Sequence, residues 1–399
     1  MQSAYKISED LIYLGVNDRR LALFENLFPL EKGVSYNSYL LKDKKNVLFD
    51  LTDISVLNQF LENLDFALGG ENLDYIIINH MEPDHSSILQ IVYEKYPDAQ
   101  IICNQKAKDL ISQFFNFDVD TKVQVVQDNQ TLEIGKHTLK FIFAPMVHWP
   151  ETMVTYDLTD KILFSGDAFG SFGTLDGNIF ADEVDFQQDW MPEFRRYYTN
   201  IVGKFGLPVQ ALLKKLPEIQ IDMICPLHGN IFRKDFDLII DKYQKWSKYE
   251  PEENSVVILY GSIYGNTQNC AEIIARKLAI KGVKNIKLYD VSKTHFSYLV
   301  AEAFRCSHII VACATYNVDI FTSMKTVLEK FKSLCLQNKK VAIIENGSWC
   351  VNAGRLIENI FKEMKNMEII EPKLTLKSSL KPEQLKVLDE LVDNVFKTL

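Results

Sequence analysis

The sequence predicts an α/β chain of two domains in series, residues 1–250 and 251–399. Three observations carry that expectation. The 399 residues exceed the roughly 250–300 that a single hydrophobic core usually organises. In the first part, short apolar runs stop abruptly in polar clusters. In the second, strand-like and helix-like stretches alternate in strict order. The polar stretch Lys245–Ser255, with Pro251 inside it, marks the change of rhythm.

In the first part, Val47–Phe49 ends at Asp50 and Tyr75–Ile78 ends at Asn79-His80. Phe141–Phe143 leads to Pro145 and His148, Ile162–Phe164 to Ser165-Gly166-Asp167, and Met223-Ile224 to Pro226-Leu227-His228. Loops at strand ends present side chains from a rigid sheet without burying unpaired backbone. In the second part, strands are expected at Val256–Tyr260, Ile286–Tyr289, Ile309–Ala312, Val341–Ile344 and Glu368–Ile370. Helices are expected at Gln268–Ile280, Phe296–Phe304, Ser323–Leu336, Arg355–Met364 and Pro382–Leu399. Continuous apolar strands alternating with helices predict a doubly wound parallel sheet covered on both faces.

The net charge of −9 comes without a cluster of Lys and Arg, which argues against nucleic acid or an anionic membrane as partner. No signal peptide is visible, and no run approaches the ~20 apolar residues of a spanning helix. A cytoplasmic protein is expected. The seven cysteines are scattered, contain no Cys-x-x-Cys pair and read as small apolar residues in a reducing compartment. They also exclude a rubredoxin-type iron site within these residues, because that site needs two such pairs.

The strongest motif is His80-Met81-Glu82-Pro83-Asp84-His85, directly after an apolar strand. Four potential ligands lie within six residues, and Pro83 disfavours a continuous helix. A loop can turn alternate residues toward two different cations. Taken alone, the segment has a competing explanation as a polar turn that caps the strand. It resembles, however, the metal signature of the metallo-β-lactamase superfamily, and the later members of that signature follow in order. They are His148 in Pro145-Met146-Val147-His148-Trp149, Asp167 in Ser165-Gly166-Asp167 and His228 in Pro226-Leu227-His228-Gly229. The resemblance implies a dinuclear site of four imidazoles and three carboxylates, bridged by Asp167. Hydrolytic zinc members usually carry His where this chain has Glu82. The carboxylate makes the ligand set harder and more anionic, which suits iron. His137 reads as a turn residue, and His295 and His308 as residues at helix and strand starts. Tyr197 and Tyr198 read as packed tyrosines, with a proton-donor role as the alternative, and Trp149 as a wall of the site or a packing residue.

The second part offers a phosphate loop after its first strand, Ser262-Ile263-Tyr264-Gly265-Asn266-Thr267, with a helix following. Hydroxyls and backbone amides converge there on a helix N-terminus, which favours a phosphate dianion. The loop resembles the flavodoxin loop that holds the terminal phosphate of FMN. Ala314-Thr315-Tyr316-Asn317 and Gly347-Ser348-Trp349-Cys350, after the third and fourth strands, are expected to frame the isoalloxazine ring, with Tyr316 and Trp349 as its walls. Ordinary groove-filling aromatics are the competing reading.

Over essentially all its length the chain resembles the flavodiiron proteins, also called A-type flavoproteins. The fold this implies is a metallo-β-lactamase-like αββα sandwich followed by a C-terminal flavodoxin-like sheet. The resemblance implies one iron on His80, Glu82 and His148, a second on Asp84, His85 and His228, and Asp167 between them. It implies an oxidoreductase that reduces O2 to water or NO to N2O, with two electrons from the irons and two from FMN. It also implies a separate electron donor such as rubredoxin or a flavin reductase, and a head-to-tail homodimer or homotetramer. The family often has Gly-Ser-Tyr-Gly-Trp where this chain has Gly347-Ser348-Trp349-Cys350-Val351. A zinc hydrolase fused to a flavodoxin-like module, and an electron carrier or sensor without turnover, are the alternative readings.

Overall fold

The computed structural model describes residues 2–399 and divides into two compact units. One unit runs to Tyr198 and includes Leu207–Asp241; the other is Thr199–Gly206 with Lys242–Leu399. The polar stretch at residues 245–255 is mostly structured. A helix reaches Ser247, a strand begins at Glu253, and the fully buried Trp246 donates its indole N–H to Glu252 at 2.8 Å.

The N-terminal unit is a sandwich of two mixed sheets. The larger has seven strands in the order Tyr5–Lys6, Leu11–Tyr13, Tyr39–Leu41, Val47–Phe49, Tyr75–Ile77, Gln100–Cys103 and Val123–Val125. Pairing is antiparallel as far as Val47–Phe49 and parallel beyond it. The smaller has five strands, Thr131–Glu133, Thr138–Phe143, Met153–Asp157, Ile162–Phe164 and Met223–Cys225, with only the last pair parallel. Tyr39, Phe49, Ile77 and Ile102 of the first sheet meet Phe141, Met153, Phe164 and Cys225 of the second in one core. Phe49 and Phe164 stack across it with ring centroids 3.8 Å apart. Val47–Phe49 and Ile162–Phe164 are buried at every residue, so both strand faces are covered. Helix Leu57–Leu68 buries Phe60, Leu64 and Leu68, one stripe at four-residue spacing.

The C-terminal unit has a parallel sheet ordered Lys287–Asp290, Glu253–Gly261, Cys306–Tyr316, Lys339–Asn346 and Met367–Leu376. In chain order this is 2-1-3-4-5, the flavodoxin-type winding. Strand alternation divides its apolar residues between two cores. Val257, Leu259, Ile309 and Val311 face one side, while Val256, Ile258, Ile310 and Ala312 face the other. The two faces are covered by helices that include Asn266–Ile280, Phe296–Arg305, Thr322–Ser333, Ala353–Lys362 and Leu385–Thr398. The expected strand at Glu368–Ile370 continues to Leu376 and contains Pro372, a residue an edge strand accommodates because its outer N–H side needs no partner. The last helix begins at Leu385 after a short 3-10 turn at Pro382–Gln384, later than the sequence suggested.

Candidate functional site

Strand pairing brings the predicted ligands to one end of the sandwich. Tyr75–Ile77 runs parallel to Val47–Phe49, so Asp50 and Asn79-His80 leave the sheet side by side. Asp50 then fixes that corner: Asn79 N–H and His80 N–H donate to its Oδ1 at 2.7 and 3.2 Å, and the Asn79 amide donates to Oδ2 at 2.8 Å. In the other sheet Ile162–Phe164 runs parallel to Met223–Cys225, which sends Asp167 and His228 out along the same edge. His148 lies in the connection between Thr138–Phe143 and Met153–Asp157. The His80–His85 segment differs from an open loop in one respect. Pro83 starts a short helix, Pro83–Ser86, at the position where its missing N–H is harmless, so Asp84 and His85 sit on a helical turn.

The seven side chains form two adjoining groups, His80, Glu82, His148 and Asp167 in one, and Asp84, His85 and His228 in the other. In the first, Glu82 Oε2 is 3.3 Å from His80 Nε2 and 3.0 Å from His148 Nε2. Asp167 Oδ2 is 3.2 Å from His80 Nε2 and 3.1 Å from His148 Nε2. In the second, His85 Nε2 and His228 Nε2 are 3.0 Å apart, with Asp84 Oδ2 at 3.3 and 3.2 Å. Asp167 Oδ1 faces this second group, 3.3 Å from His85. One carboxylate thus gives an oxygen to each group.

These spacings fit cations. A metal about 2.1 Å from each donor holds neighbouring donors roughly 3.0–3.4 Å apart. Without one, the arrangement leaves buried polar atoms unmatched: both Asp84 oxygens and Asp167 Oδ1 lack a hydrogen-bond donor. His228 donates its Nδ1 proton to Ser35 O, which turns its Nε2 lone pair toward the centre, 3.0 Å from His85 Nε2.

Electrostatics agrees. Burial alone would suppress charge here, but in the group of His80, Glu82, His148 and Asp167 the side chains hold one another ionised. For His80, burial is outweighed by Asp167, Glu151 and Glu82, which keep it well above the usual imidazole range. His148 is likewise lifted to about 9, against burial, by Asp167 and Glu82. Asp167 and Glu82 are held low against burial by the surrounding histidines. Asp84 is pushed up to about 7, chiefly by burial, with Glu82 and Asp167 adding to it. His228 is pulled down by burial. So much carboxylate in a dry site calls for positive charge, supplied by protons or metal.

Further residues, some of them not singled out in the sequence, surround the candidate ligands. Glu151 Oε1 accepts from His80 Nδ1–H at 2.8 Å and from Met81 N–H at 2.9 Å. Its only sequence signal was an acid three residues beyond His148. The hairpin Leu23–Phe24/Phe28–Pro29 carries Glu25 at an exposed tip. There burial of the carboxyl end and the Glu82 charge push it up to about 8. Next to it, the Phe24 ring meets the His228 ring edge-on at 5.4 Å. Tyr197 also packs on His228, at 5.4 Å, and Trp149 stands edge-on to His80 at the same separation. His137 occupies a hairpin turn, as expected, but is fully buried there, with Nδ1 on Asp157 at 2.8 Å and Nε2 on Asp10 at 3.2 Å. His295 caps helix Phe296–Arg305, and the buried His308 is 3.0 Å from Thr398 Oγ1.

In the C-terminal unit a cavity of about 220 Å³ lies at the carboxyl ends of the strands. Of the predicted residues, Ser262, Ile263, Tyr264, Asn266, Thr267, Ala314, Thr315, Gly347, Ser348, Trp349 and Cys350 line it; Gly265, Tyr316 and Asn317 do not. Gly265 instead provides the turn. Its φ of +88° is left-handed, and it caps helix Asn266–Ile280 without a side chain over the free N–H groups. Asn317 and Val318, both left-handed, form the tight turn of a hairpin beyond the third strand, and Tyr316 packs against Phe321 there. Thr315 uses its hydroxyl structurally, accepting from Asn352 N–H and Ala353 N–H. Asn346 and Ser378 also line the cavity, and Asn346 ties its loops together by donating to Thr267 Oγ1 and Ser378 O. Tyr264 and Trp349 are 92% and 81% exposed, so aromatic surface stands open at the rim.

Comparison with known proteins matches residues 34–229 to the ODP family beta lactamase and residues 258–385 to flavodoxin. An anaerobic nitric oxide reductase flavorubredoxin of Vibrio vulnificus is 31% identical over 382 residues, covering 94% of this chain and 76% of that protein. The crystal structure of the flavodiiron protein from Giardia intestinalis superposes with a TM-score of 0.92 at 25% identity, covering 100% of this chain and 96% of that one. Rubredoxin oxygen:oxidoreductase from Desulfovibrio gigas gives a TM-score of 0.92 at 25% identity, with 99% and 98% coverage. A metallo-β-lactamase-type sandwich joined in this order to a flavodoxin-type sheet, matched along nearly its whole length by such relatives, makes this chain a member of the flavodiiron protein family.

Proposed function

We propose that the chain is an oxidoreductase that reduces O2 to water, NO to N2O, or both, at a non-haem diiron centre supplied with electrons by FMN. The observation that carries this reading is Asp167 offering one oxygen to each of two adjoining His/carboxylate groups. In this reading His80, Glu82 and His148 would hold one iron and Asp84, His85 and His228 the other, with Asp167 offering an oxygen to each group. Bound iron and FMN supply the redox chemistry, two electrons from the metal pair and two from the flavin.

The protein's own part is to bind, orient and exclude water. Asp50 pins the backbone of Asn79 and His80, and Ser35 fixes the tautomer of His228. Phe24, Tyr36 and Tyr197 pack on the His228 ring, and an apolar wall keeps the low dielectric in which the carboxylates act strongly. In the second unit the N–H groups at the start of Asn266–Ile280 would receive the FMN phosphate, and the loops carrying Thr315 and Trp349 would frame the ring.

The external donor is a reduced carrier of the rubredoxin or flavin-reductase class. The working assembly is a head-to-tail homodimer in the cytoplasm. No helix among the described residues is long and apolar enough to cross a membrane. The test is anaerobic reconstitution with ferrous iron and FMN, followed by turnover with O2 and NO in parallel. Two irons and one FMN per chain with rapid consumption of either gas are expected. Full zinc occupancy with hydrolytic activity would instead favour a hydrolase.

A further inference from the structure

The four histidines of the centre are not supported alike. Among the described residues, His80 alone of the four has a carboxylate on its far nitrogen: Glu151, 1% exposed, accepts its Nδ1 proton at 2.8 Å. His228 gives its Nδ1 proton to a neutral backbone carbonyl, Ser35 O, at 2.7 Å. His85 Nδ1 is buried with no hydrogen-bond partner. Glu151 is also firmly placed, because Met81 N–H donates to the same oxygen and Asn104 donates to its backbone carbonyl. Its second oxygen, Oε2, is buried without a donor, so this carboxylate is not neutralised elsewhere by a hydrogen bond.

Two effects follow, and they act in one direction. A carboxylate on the far nitrogen makes an imidazole a stronger donor to its metal. A buried anion also favours the more positive of two metal oxidation states, and does so more strongly in a low dielectric. Each position shares Asp167. Beyond that, among the described residues the His80 group has Glu82 with Glu151 behind it and the His85 group has Asp84, while the buried Asp50, bonded to the His80 backbone and facing the His85 charge, acts on both. We infer that Glu151 makes the two iron positions electronically unequal, so that the His80–Glu82–His148 position is the one that stays ferric when the centre has taken up a single electron. Glu151 acts through His80 as a positioning residue. The inference rests on the diiron reading given above. In balanced form, one electron from a chemical reductant converts the diferric pair to ferric at the His80 position and ferrous at the His85 position. A second electron then makes both ferrous.

The test is stepwise anaerobic dithionite titration of the iron- and FMN-loaded protein, followed by EPR and Mössbauer spectroscopy, in the unmodified chain and in Glu151→Gln. Glutamine keeps Oε1 for His80 and Met81 and removes only the charge. Two separated one-electron steps are expected in the unmodified protein. In Glu151→Gln the lower-potential step should rise toward the other, which stays nearly fixed. Equal movement of both steps, or of neither, overturns the inference while leaving the diiron reading intact. Failure of the unmodified protein to bind two irons overturns that reading itself. If Glu151→Gln retains one iron per chain, adding His148→Ala should cost no further iron. Equal loss from both positions, or a further loss on that addition, would assign Glu151 a merely structural role.

Discussion

The two units solve the same problem, holding a charged redox group, by opposite means. The N-terminal unit buries charge: seven ionisable side chains that could hold metal sit together, with Asp50 and Glu151 close behind them. The C-terminal cavity has no Asp, Glu, Lys, Arg or His among its described lining residues. It offers hydroxyls, amides and a helix N-terminus. A metal site needs donors whose charge matches a compact cation and whose positions are fixed in advance. A phosphate can be held by backbone N–H groups that any sequence supplies, provided the turn is right. Disruption should therefore be severe and specific to side-chain identity in the first unit, and milder and dependent on backbone shape in the second.

The sharpest break is Asp167→Ala. It takes an oxygen from both groups at once, and His80 and His148 lose a carboxylate that raises their proton affinity. Iron per chain should fall below half of the unmodified level and O2 or NO turnover at least ~100-fold, with FMN content unchanged. Full iron loading in this variant would remove Asp167 from the bridging role.

Next in size is His137→Gln, which tests whether buried charge in this unit is also a stability device away from the metals. His137 lies between Asp157, Asp10 and Asp160, with Lys136 and Asp43 close by. Burial lowers its affinity for a proton, but Asp157 and Asp10 outweigh this and raise it above the ordinary imidazole value. The stabilisation is complete below the unfolded value near 6.5 and is lost as pH rises through the higher folded value. Removing the cation strands the buried Asp157, at a cost of about 3 kcal/mol. This is the low end of the usual range, because Thr159 N–H also donates to Asp157. Urea midpoints at pH 6 and pH 9 check both the size of the loss and the flattening of the pH dependence.

For the second unit the corresponding break is Gly265→Val. Nothing lies within 4 Å of an added Cβ, so the effect isolates backbone conformation from steric crowding. A β-branched residue at φ +88° costs on the order of 1–3 kcal/mol and re-aims the amides at the helix start. FMN should bind roughly 10- to 100-fold more weakly by fluorescence titration, while iron content stays at the unmodified level.

The same contrast explains what could be read from the sequence. The clustering of the seven candidate ligands was legible because His80–His85 packs four donors into six residues and the others follow strand ends with turn residues beside them. The parallel sheet announced itself through apolar runs such as Val256–Tyr260 and Val341–Ile344, whose continuity reports burial on both faces. What stayed hidden depends on tertiary proximity. Glu151 matters only because the His148 loop folds back over His80. Glu25 reaches the site through a distant hairpin. His137 looks like a turn residue until Asp10 and Asp157 are brought to it. The hairpin beyond the third strand was also hidden: Tyr316, expected as a wall, precedes a tight left-handed turn at Asn317-Val318 and packs on Phe321.

The smallest expected effect sharpens the comparison most. If the FMN phosphate is received by backbone dipoles and hydroxyls, salt has little to screen, because no mobile cationic side chain lines the cavity among the described residues. Exposed ion pairs weaken as the Debye length shrinks from ~10 Å at 0.1 M to ~3 Å at 1 M, whereas N–H groups fixed at a helix end act over hydrogen-bond distance. The dissociation constant for FMN should thus change by less than about threefold between 0.05 and 0.5 M NaCl. A tenfold or larger weakening would mean that a lysine or arginine outside the cavity carries much of the phosphate binding. The two units would then both depend on charged side chains, and the contrast between them would collapse into one of burial alone.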